Sequence, residues 1–296
     1  MLADIASVGF KVDNFTAKNM AILEGCWKDI RKAIIMAVEL AASFGLSSAN
    51  LRAESAILPI AYYLFRKAPP NSFLTTAKWG DDREAIRFWL IRSLLKPSGI
   101  WGSGLDTLLT TLREVIQKHG EDGFPADRLA RRMAQRGKAL SFDEEEVEEL
   151  LEMRYADNRM FLLLSLLFPF VDLRNQFHVD HVFPISRFSP SKLKTAGYNQ
   201  DEGENLRWLA DTIANLQLLD GPMNNEKRAK LPKEWLKFVH KSGTAQNDYC
   251  SKHQLGKLPE DIFEFKAFAE ARVEAMRAML TELLITGRNG ITRAAE

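Results

Sequence analysis

Cysteine is scarce in this sequence of 296 residues. Only Cys26 and Cys250 occur, and neither belongs to a C-x-x-C pair. This scarcity excludes a disulfide framework and a structural zinc site built on cysteine. The first residues also lack a basic region followed by an apolar segment and a cleavage site, so nothing in them indicates export. We therefore expect a reducing, cytoplasmic location.

Long apolar runs and an excess of charge of either sign are missing as well. The most apolar run, residues 160–171, contains Pro169 and is shorter than the roughly 20 residues that a membrane-spanning helix needs. It predicts a buried helix and no membrane partner. The 40 basic residues balance 39 acidic ones, which gives a net charge of +1. This balance argues against a protein whose whole surface is basic, but it is compatible with a local basic patch.

Three further classes of protein are disfavoured. With 46% hydrophobic and 27% charged residues, the composition is that of a folded protein rather than a disordered one. No period of about 20–50 residues repeats, which disfavours a solenoid. The sequence also has no G-x-x-x-x-G-K-[ST] loop, so we predict no NTPase activity in this chain.

Apolar side chains in the first 170 residues recur at the spacing of a helical face. One such face consists of Trp27, Ile30, Ile34, Val38 and Ala41. Ser141 and Glu144 have the spacing of a capping box, which predicts the start of another helix. These patterns predict a mainly α fold with a helical domain over residues 1–170.

The character of the chain changes after Pro169. Residues 177–184 largely alternate apolar and polar side chains, which predicts a short strand ended by Pro184. Asn215 opens a second candidate strand, and a basic segment of helical character follows from Asn224.

The remaining domain assignments follow from these patterns. We assign residues 171–245 to a module that contains the two strands. Residues 246–296 form a connector and an amphipathic helix that includes Phe265, Phe268 and Arg272. The apolar spacing of this last helix predicts that it packs back on the helical domain.

Two histidines flank an acidic residue in the pattern H-x-D-H, formed by His178, Asp180 and His181. Alternate side chains of a strand share a face, so Asp180 and His181 can serve one site only at a strand end or bulge. The tetrapeptide alone fits a satisfied polar cluster or a metal site, and it does not choose between zinc and magnesium. The other histidines, which we interpret as surface residues, are His119, His240 and His253.

Three sequence blocks, taken in chain order, resemble the HNH nuclease superfamily. They are Asp180-His181-Val182-Phe183-Pro184, Asn215-Leu216-Gln217-Leu218-Leu219 and Asn224-x-x-Lys227. The fold of that superfamily is a hairpin followed by a helix around one divalent ion. The resemblance therefore implies a small ββα-metal module embedded in a mainly α protein that hydrolyses phosphodiester bonds.

The resemblance also implies a role for each residue of the blocks. His181 would be the general base, and Asn215 would orient it by holding its strand through hydrogen bonds. Asp180 and Asn224 would bind the metal ion through oxygen. Such an oxygen pair suits Mg²⁺ or Mn²⁺ better than Zn²⁺.

Four other residues extend this candidate site. Lys227 and Arg228 begin a locally basic stretch and are the predicted phosphate contacts. His178 could join the metal shell, contact phosphate or orient Asp180. Asn225 competes with its neighbour Asn224 for the place of the second metal ligand, because an error of one residue in the alignment would exchange them.

More distant segments resemble the C-terminal half of GmrSD-type modification-dependent restriction enzymes. These segments are residues 53–64, Arg87-Phe88-Trp89-Leu90 and Phe265-x-x-Phe268-x-x-x-Arg272. The resemblance implies DNA as the partner and a function in restriction and phage defence. Such enzymes also carry a ParB-like nucleotide-binding domain with a D-G-Q-Q-R-type motif, which this sequence lacks. We expect either that the chain is a fragment or a shortened relative, or that the ParB-like domain belongs to a separate subunit.

Two alternative functions stay open. The chain could be a DNA-binding or partner-binding protein whose nuclease module is degenerate and inactive. It could also be an unrelated zinc hydrolase that uses His178 and His181 as metal ligands.

Overall fold

The computed structural model describes residues 1–5, 8–9, 11–48, 50–97, 99–169 and 177–286. These residues are mainly helical and contain one two-stranded antiparallel sheet, which confirms the predicted mainly α class. The chain divides into two compact units, Met1–Ser141 and Phe142–Thr286. The boundary predicted at residue 170, like the end of the apolar run 160–171, lies outside the described residues.

The first unit is built from α-helices. They are α1 (Ala17–Ser43), α2 (Ile57–Lys67), α3 (Gly80–Leu95), α4 (Leu105–His119) and α5 (Ala126–Ala134). The longest of these, α1, begins after Thr16, whose hydroxyl accepts a hydrogen bond from the backbone N–H of Asn19 at 3.2 Å. A threonine at this position satisfies one of the backbone donors that a helix leaves free at its start.

The buried face of α1 overlaps the predicted one only in part. Ile30 and Ala41 are buried as predicted, whereas Trp27 is 58% exposed and Val38 is 54% exposed. This helix packs against α2, and its buried stripe also includes Ala33, Ala37 and Leu40. Alanine contributes little to a pattern of large apolar residues, so a prediction that follows the large side chains places the centre of the face too far to one side.

The second unit combines helices with the two strands. Its elements are α6 (Glu144–Leu151), α7 (Met160–Leu167), β1 (Phe177–His181), α8 (Pro190–Thr195), α9 (Gln200–Ala210), β2 (Leu216–Asp220), α10 (Gly221–Lys227), α11 (Pro232–Val239), α12 (Gly243–Lys252) and α13 (Phe265–Leu280). A π-helical segment, Thr281–Thr286, continues α13. Within the described ranges, no helix has both the length and the apolar character needed to cross a membrane.

A capping box starts α6, two residues later than predicted. The backbone N–H of Glu146 donates to Asp143 Oδ1 at 2.8 Å, and the N–H of Asp143 donates to Glu146 Oε2 at 3.2 Å. The box therefore consists of Asp143 and Glu146 rather than Ser141 and Glu144. An aspartate carboxylate caps a helix as well as a serine hydroxyl does, so both positions match the sequence pattern.

The two strands pair antiparallel, with Asp180 opposite Gln217 and His181 opposite Leu216. Within β1, His178 is exposed and the other four side chains are half-buried, whereas β2 is buried along most of its length. Both α7 and α10 pack against the two strands. Since α10 starts at Gly221, directly after β2, the second strand leads straight into the helix that covers the pair.

The core of the second unit contains an aromatic cluster next to the end of β1. Phe183, Phe188 and Phe265 are buried, and the ring centroids of Phe188 and Phe265 lie 4.6 Å apart. Phe183 lies 5.6 Å from Phe265 between ring centroids. Phe265 belongs to α13, which also packs against α6, α7 and α9. The C-terminal helix therefore fixes the chain segment that follows β1.

We predict that Phe265→Ala lowers the free energy of unfolding by about 3–5 kcal/mol, because it leaves a cavity between two aromatic rings. Urea unfolding followed by circular dichroism measures the change. Phe263→Ala is the matched control, since Phe263 is 62% exposed, and it should cost less than about 1 kcal/mol. Equal effects of the two substitutions would contradict the packing described for α13.

Candidate functional site

The end of β1 carries the two central residues of the predicted site. Asp180 and His181 are the last two residues of the strand, and both side chains are mostly buried. Their side chains take different partners, as alternation along a strand leads one to expect. The site thus has an Asp180 half and a His181 half.

Asp180 is held by two side chains. Gln217, its partner across the strands, donates from Nε2 to Asp180 Oδ2 at 2.9 Å, and Lys227 Nζ lies 2.8 Å from the same oxygen. Gln217 is in turn fixed by Tyr249, whose hydroxyl donates to Gln217 Oε1 at 3.0 Å. The carboxylate therefore has a defined direction and a positively charged partner.

The environment of Lys227 differs from the one expected of a phosphate contact. Its side chain is 1% exposed, whereas a phosphate contact requires an accessible ammonium group. Besides the ion pair with Asp180, its Nζ donates to the backbone carbonyl of His181. Burial lowers the pKa of Lys227, and the charge of Asp180 acts in the opposite direction. Lys227 in this structure is thus the counter-ion of Asp180 and not a free phosphate ligand.

The other candidate residues in α10 and directly after it differ in their exposure to solvent. Asn224 is half-buried and lies three positions before Lys227, so the two side chains share one face of the helix. Asn225 is exposed on a different face, which makes Asn224 the better of the two candidate ligands. Arg228 follows the helix as an exposed side chain, and its Nε donates to the carbonyl of Asn225 at 3.3 Å. Arg228 remains available to an anion.

His181 lies between an aromatic ring and a carboxylate. The imidazole stacks on Tyr155 with ring centroids 4.7 Å apart, and its Nε2 lies 3.4 Å from Asp211 Oδ1. Burial lowers the pKa of His181, while Asp211 and then Asp180 act to raise it. The neutral imidazole, which can accept a proton, is therefore the favoured form near neutral pH.

Sequence reasoning missed Asp211 and Tyr155. The segment around Tyr155 runs antiparallel to the segment around Asp211, with Tyr155 N–H donating to the Asp211 carbonyl at 2.8 Å. Arg154 contacts Asp211 Oδ2 from Nε at 3.0 Å and from Nη2 at 2.8 Å. No spacing in the sequence links these residues to His181, because all of the contacts join distant segments.

Asn215 makes the hydrogen bonds that its predicted role requires. Its fully buried side chain accepts from Phe183 N–H at 2.8 Å and donates to the carbonyls of Phe183 at 2.9 Å and Ala210 at 2.8 Å. Its own carbonyl accepts from Val182 N–H at 2.7 Å. The residue before β2 thus holds the chain just beyond His181.

The remaining histidines differ in their environments. His178 is exposed on β1 opposite Leu219, and it lies an odd number of positions from His181, so the two imidazoles leave opposite faces of the strand. This arrangement disfavours the zinc site made from both. His253 is 7% exposed and stacks on Tyr249 at 4.1 Å, so its interpretation as a surface residue was wrong. Burial lowers the pKa of His253 to about 3.

The donor set near Asp180 has the chemistry of a weak, hydrated cation site. Within the described ranges, no three His, Cys, Asp or Glu residues are grouped so as to hold a metal ion. Asp180 and Asn224 offer oxygen only, and Mg²⁺ commonly takes one or two protein carboxylates while water and phosphate fill its other positions. These residues fit Mg²⁺ or Mn²⁺ rather than an enclosed zinc ion, provided that Lys227 gives up its contact with Asp180.

Comparison with known proteins assigns the chain to no family. No protein-family model matches the sequence, and no curated protein matches it.

We predict that Asn215→Ala lowers the free energy of unfolding by about 3 kcal/mol or more. The substitution leaves one N–H and two carbonyl groups buried without their partner, and each such group costs about 1–3 kcal/mol. Asn225→Ala, an exposed amide on α10, is the matched control and should change stability by less than about 0.5 kcal/mol. Urea unfolding measures the stability of both variants. A small loss of stability in Asn215→Ala would contradict the stabilising role of the Asn215 hydrogen bonds.

We predict a strong energetic coupling between Lys227 and Asp180. Lys227→Met leaves a mostly buried carboxylate without its charged partner and should cost about 3–5 kcal/mol. Asp180→Asn combined with Lys227→Met should recover much of that loss, which a double-mutant cycle in urea measures. Lys237→Met, an exposed change of the same kind, is the control. Additive effects of the two substitutions would mean that the pair does not interact.

Proposed function

We propose that this chain is a metal-dependent endonuclease of the HNH type that hydrolyses DNA phosphodiester bonds, with a function in restriction and phage defence. The observation that carries the proposal is the pair of hydrogen bonds between Asn215 and Phe183, which ties the start of β2 to the chain just beyond His181. The order strand, strand, helix, with α10 packed against both strands, supports a ββα module around Asp180 and His181.

The proposed general base is His181. Hydrolysis requires removal of a proton from the attacking water, and a positioned imidazole contributes roughly 10²- to 10⁴-fold in rate. The low pKa that burial gives His181 keeps the imidazole neutral and ready to accept that proton. The His181 side chain keeps 13% of its surface exposed to solvent.

Asp180 and Asn224 are the proposed holders of one Mg²⁺ or Mn²⁺ ion. When bound, such an ion relieves the charge of the phosphate and stabilises the leaving oxygen. Arg228 is the proposed phosphate contact, since it is exposed at the end of α10. Further positive charge follows along the chain at Lys230, Lys233, Lys237 and Lys241. This local excess supports binding of a polyanion although the whole chain is nearly neutral.

One observation favours a second function, that of a DNA-binding or partner-binding protein with an inactive module. Lys227 already neutralises Asp180, so a cation can bind there only if the ammonium group moves away. If Lys227 stays in place, it already compensates the negative charge of Asp180, and that charge does not attract a metal ion. A ParB-like nucleotide-binding subunit is the proposed partner in either case.

We predict that His181→Ala lowers the rate of DNA cleavage by roughly 10²- to 10⁴-fold, because the attacking water loses its base. Gel assays with Mg²⁺ or Mn²⁺ measure the rate, and EDTA should abolish cleavage. His119→Ala, a histidine substitution on α4 in the other unit, is the control and should cleave normally. Undiminished cleavage by purified, folded His181→Ala would remove His181 from the mechanism.

The substrate and the alternative function are tested together. A panel of unmodified, methylated and glucosylated DNA, with RNA as a further substrate, identifies what is cleaved. Titration calorimetry with Mn²⁺ is run in parallel on the wild-type chain and on Asp180→Asn. Measurable DNA binding without metal binding or cleavage would favour the inactive module over the nuclease.

A further inference from the structure

The contact between His181 and Asp211 favours one of the two tautomers of the neutral imidazole. An ionised carboxylate can only accept hydrogen bonds, so the nitrogen that faces Asp211 must be the one bearing hydrogen. That nitrogen is Nε2, at 3.4 Å from Asp211 Oδ1. In the neutral imidazole the lone pair is then on Nδ1, and only Nδ1 can take a proton from water.

Asp211 is itself held in place by two contacts. Arg154 approaches Oδ2 with Nε at 3.0 Å and Nη2 at 2.8 Å, which leaves Oδ1 for His181. Such a pair at a partly exposed site adds little stability, but it fixes the direction of the carboxylate. The side chain of Asp211 is mostly buried.

Tyr155 fixes the plane of the imidazole. The two rings lie 27° from parallel with their centroids 4.7 Å apart, so rotation of His181 about its side-chain bonds would break the stack. Backbone hydrogen bonds join the two segments that carry Tyr155 and Asp211, from Tyr155 N–H to the Asp211 carbonyl and from Ile213 N–H to the Met153 carbonyl. The same pair of hydrogen-bonded segments therefore carries both the ring that stacks on His181 and the carboxylate that contacts it.

We propose that Asp211 is the positioning residue of the general base: with Arg154 behind it and Tyr155 against the ring, it holds the His181 imidazole in the tautomer whose Nδ1 accepts the proton of water. This inference rests on the proposed nuclease function and adds three residues to its site. In the step itself, the oxygen of water bonds to phosphorus, its proton passes to Nδ1, and the bond from phosphorus to the departing ester oxygen breaks. That oxygen takes a proton from solvent, and Asp211 stabilises the imidazolium through Nε2–H.

Asp211→Asn tests the proposal, because an amide can donate to Nε2 and so favours the tautomer protonated at Nδ1. The ¹⁵N spectrum of the labelled full chain, at a pH where the imidazole is neutral, reports which nitrogen carries hydrogen, and His181→Ala identifies the signal. We expect Nε2–H in the wild type and Nδ1–H in the variant. We also expect kcat to fall at least about a hundredfold with KM changed less than about twofold.

Two further variants separate positioning from general damage to the fold. Asp211→Glu restores a carboxylate and should recover the wild-type tautomer together with much of the rate. Asp201→Asn makes the same chemical change on the exposed first turn of α9 and should alter neither.

The outcomes are distinct. An unchanged tautomer in Asp211→Asn overturns the proposal, whether or not the rate falls, since a rate loss alone would then be structural. A changed tautomer with an undiminished kcat overturns it as well. If the wild-type chain cleaves no nucleic acid while the tautomer still follows residue 211, the positioning of the imidazole stands and the nuclease function fails.

Discussion

The buried amide of Asn215 is the interaction on which the candidate site depends. Two short strands that are distant in sequence form a pair that would be marginal by itself in water. Asn215, which is fully buried, joins them by satisfying one backbone donor and two acceptors, at Phe183 and Ala210. Because each of these groups would be costly to leave unpaired, few other arrangements of the chain beyond His181 are compatible with burial.

The same short segment that carries Asn215 also carries Asp211, and it is supported from the C-terminal helix. Arg272 of α13 is almost completely buried and donates to the carbonyls of Ala214 at 2.9 Å and Ile213 at 3.4 Å. Burial lowers its pKa to about 9. A guanidinium group has several N–H donors and can therefore bind two consecutive carbonyls, whereas an apolar side chain has no donor. The helix that closes the core of this unit therefore also stabilises the turn beside the site.

Local patterns in the sequence predicted the helices and the place of the two strands, because periodicity and turn residues report on neighbouring positions. They placed the end of β1 at Pro184, whereas the strand ends at His181. The role expected for Asn215 came from the resemblance to the HNH superfamily. Asp211 and the burial of Lys227 could not be found in this way. A lysine is ordinarily exposed, and only a carboxylate brought close by folding makes its burial tolerable. The burial of His253 has the same origin, since its stacking partner Tyr249 and the surrounding core become its environment only in the folded chain.

The charges of the site are balanced in two separate pairs, Lys227 with Asp180 and Arg154 with Asp211. For the proposed nuclease, this separation has a chemical consequence. Asp180 and Lys227 neutralise each other at a mostly buried position, so any group that draws one of them away must supply a charge to replace it. A phosphate would offer the negative charge that Lys227 needs, and a divalent cation would offer the positive charge that Asp180 needs. The two losses would be compensated together only when both arrive, which would link cation binding to substrate binding through a single ion pair.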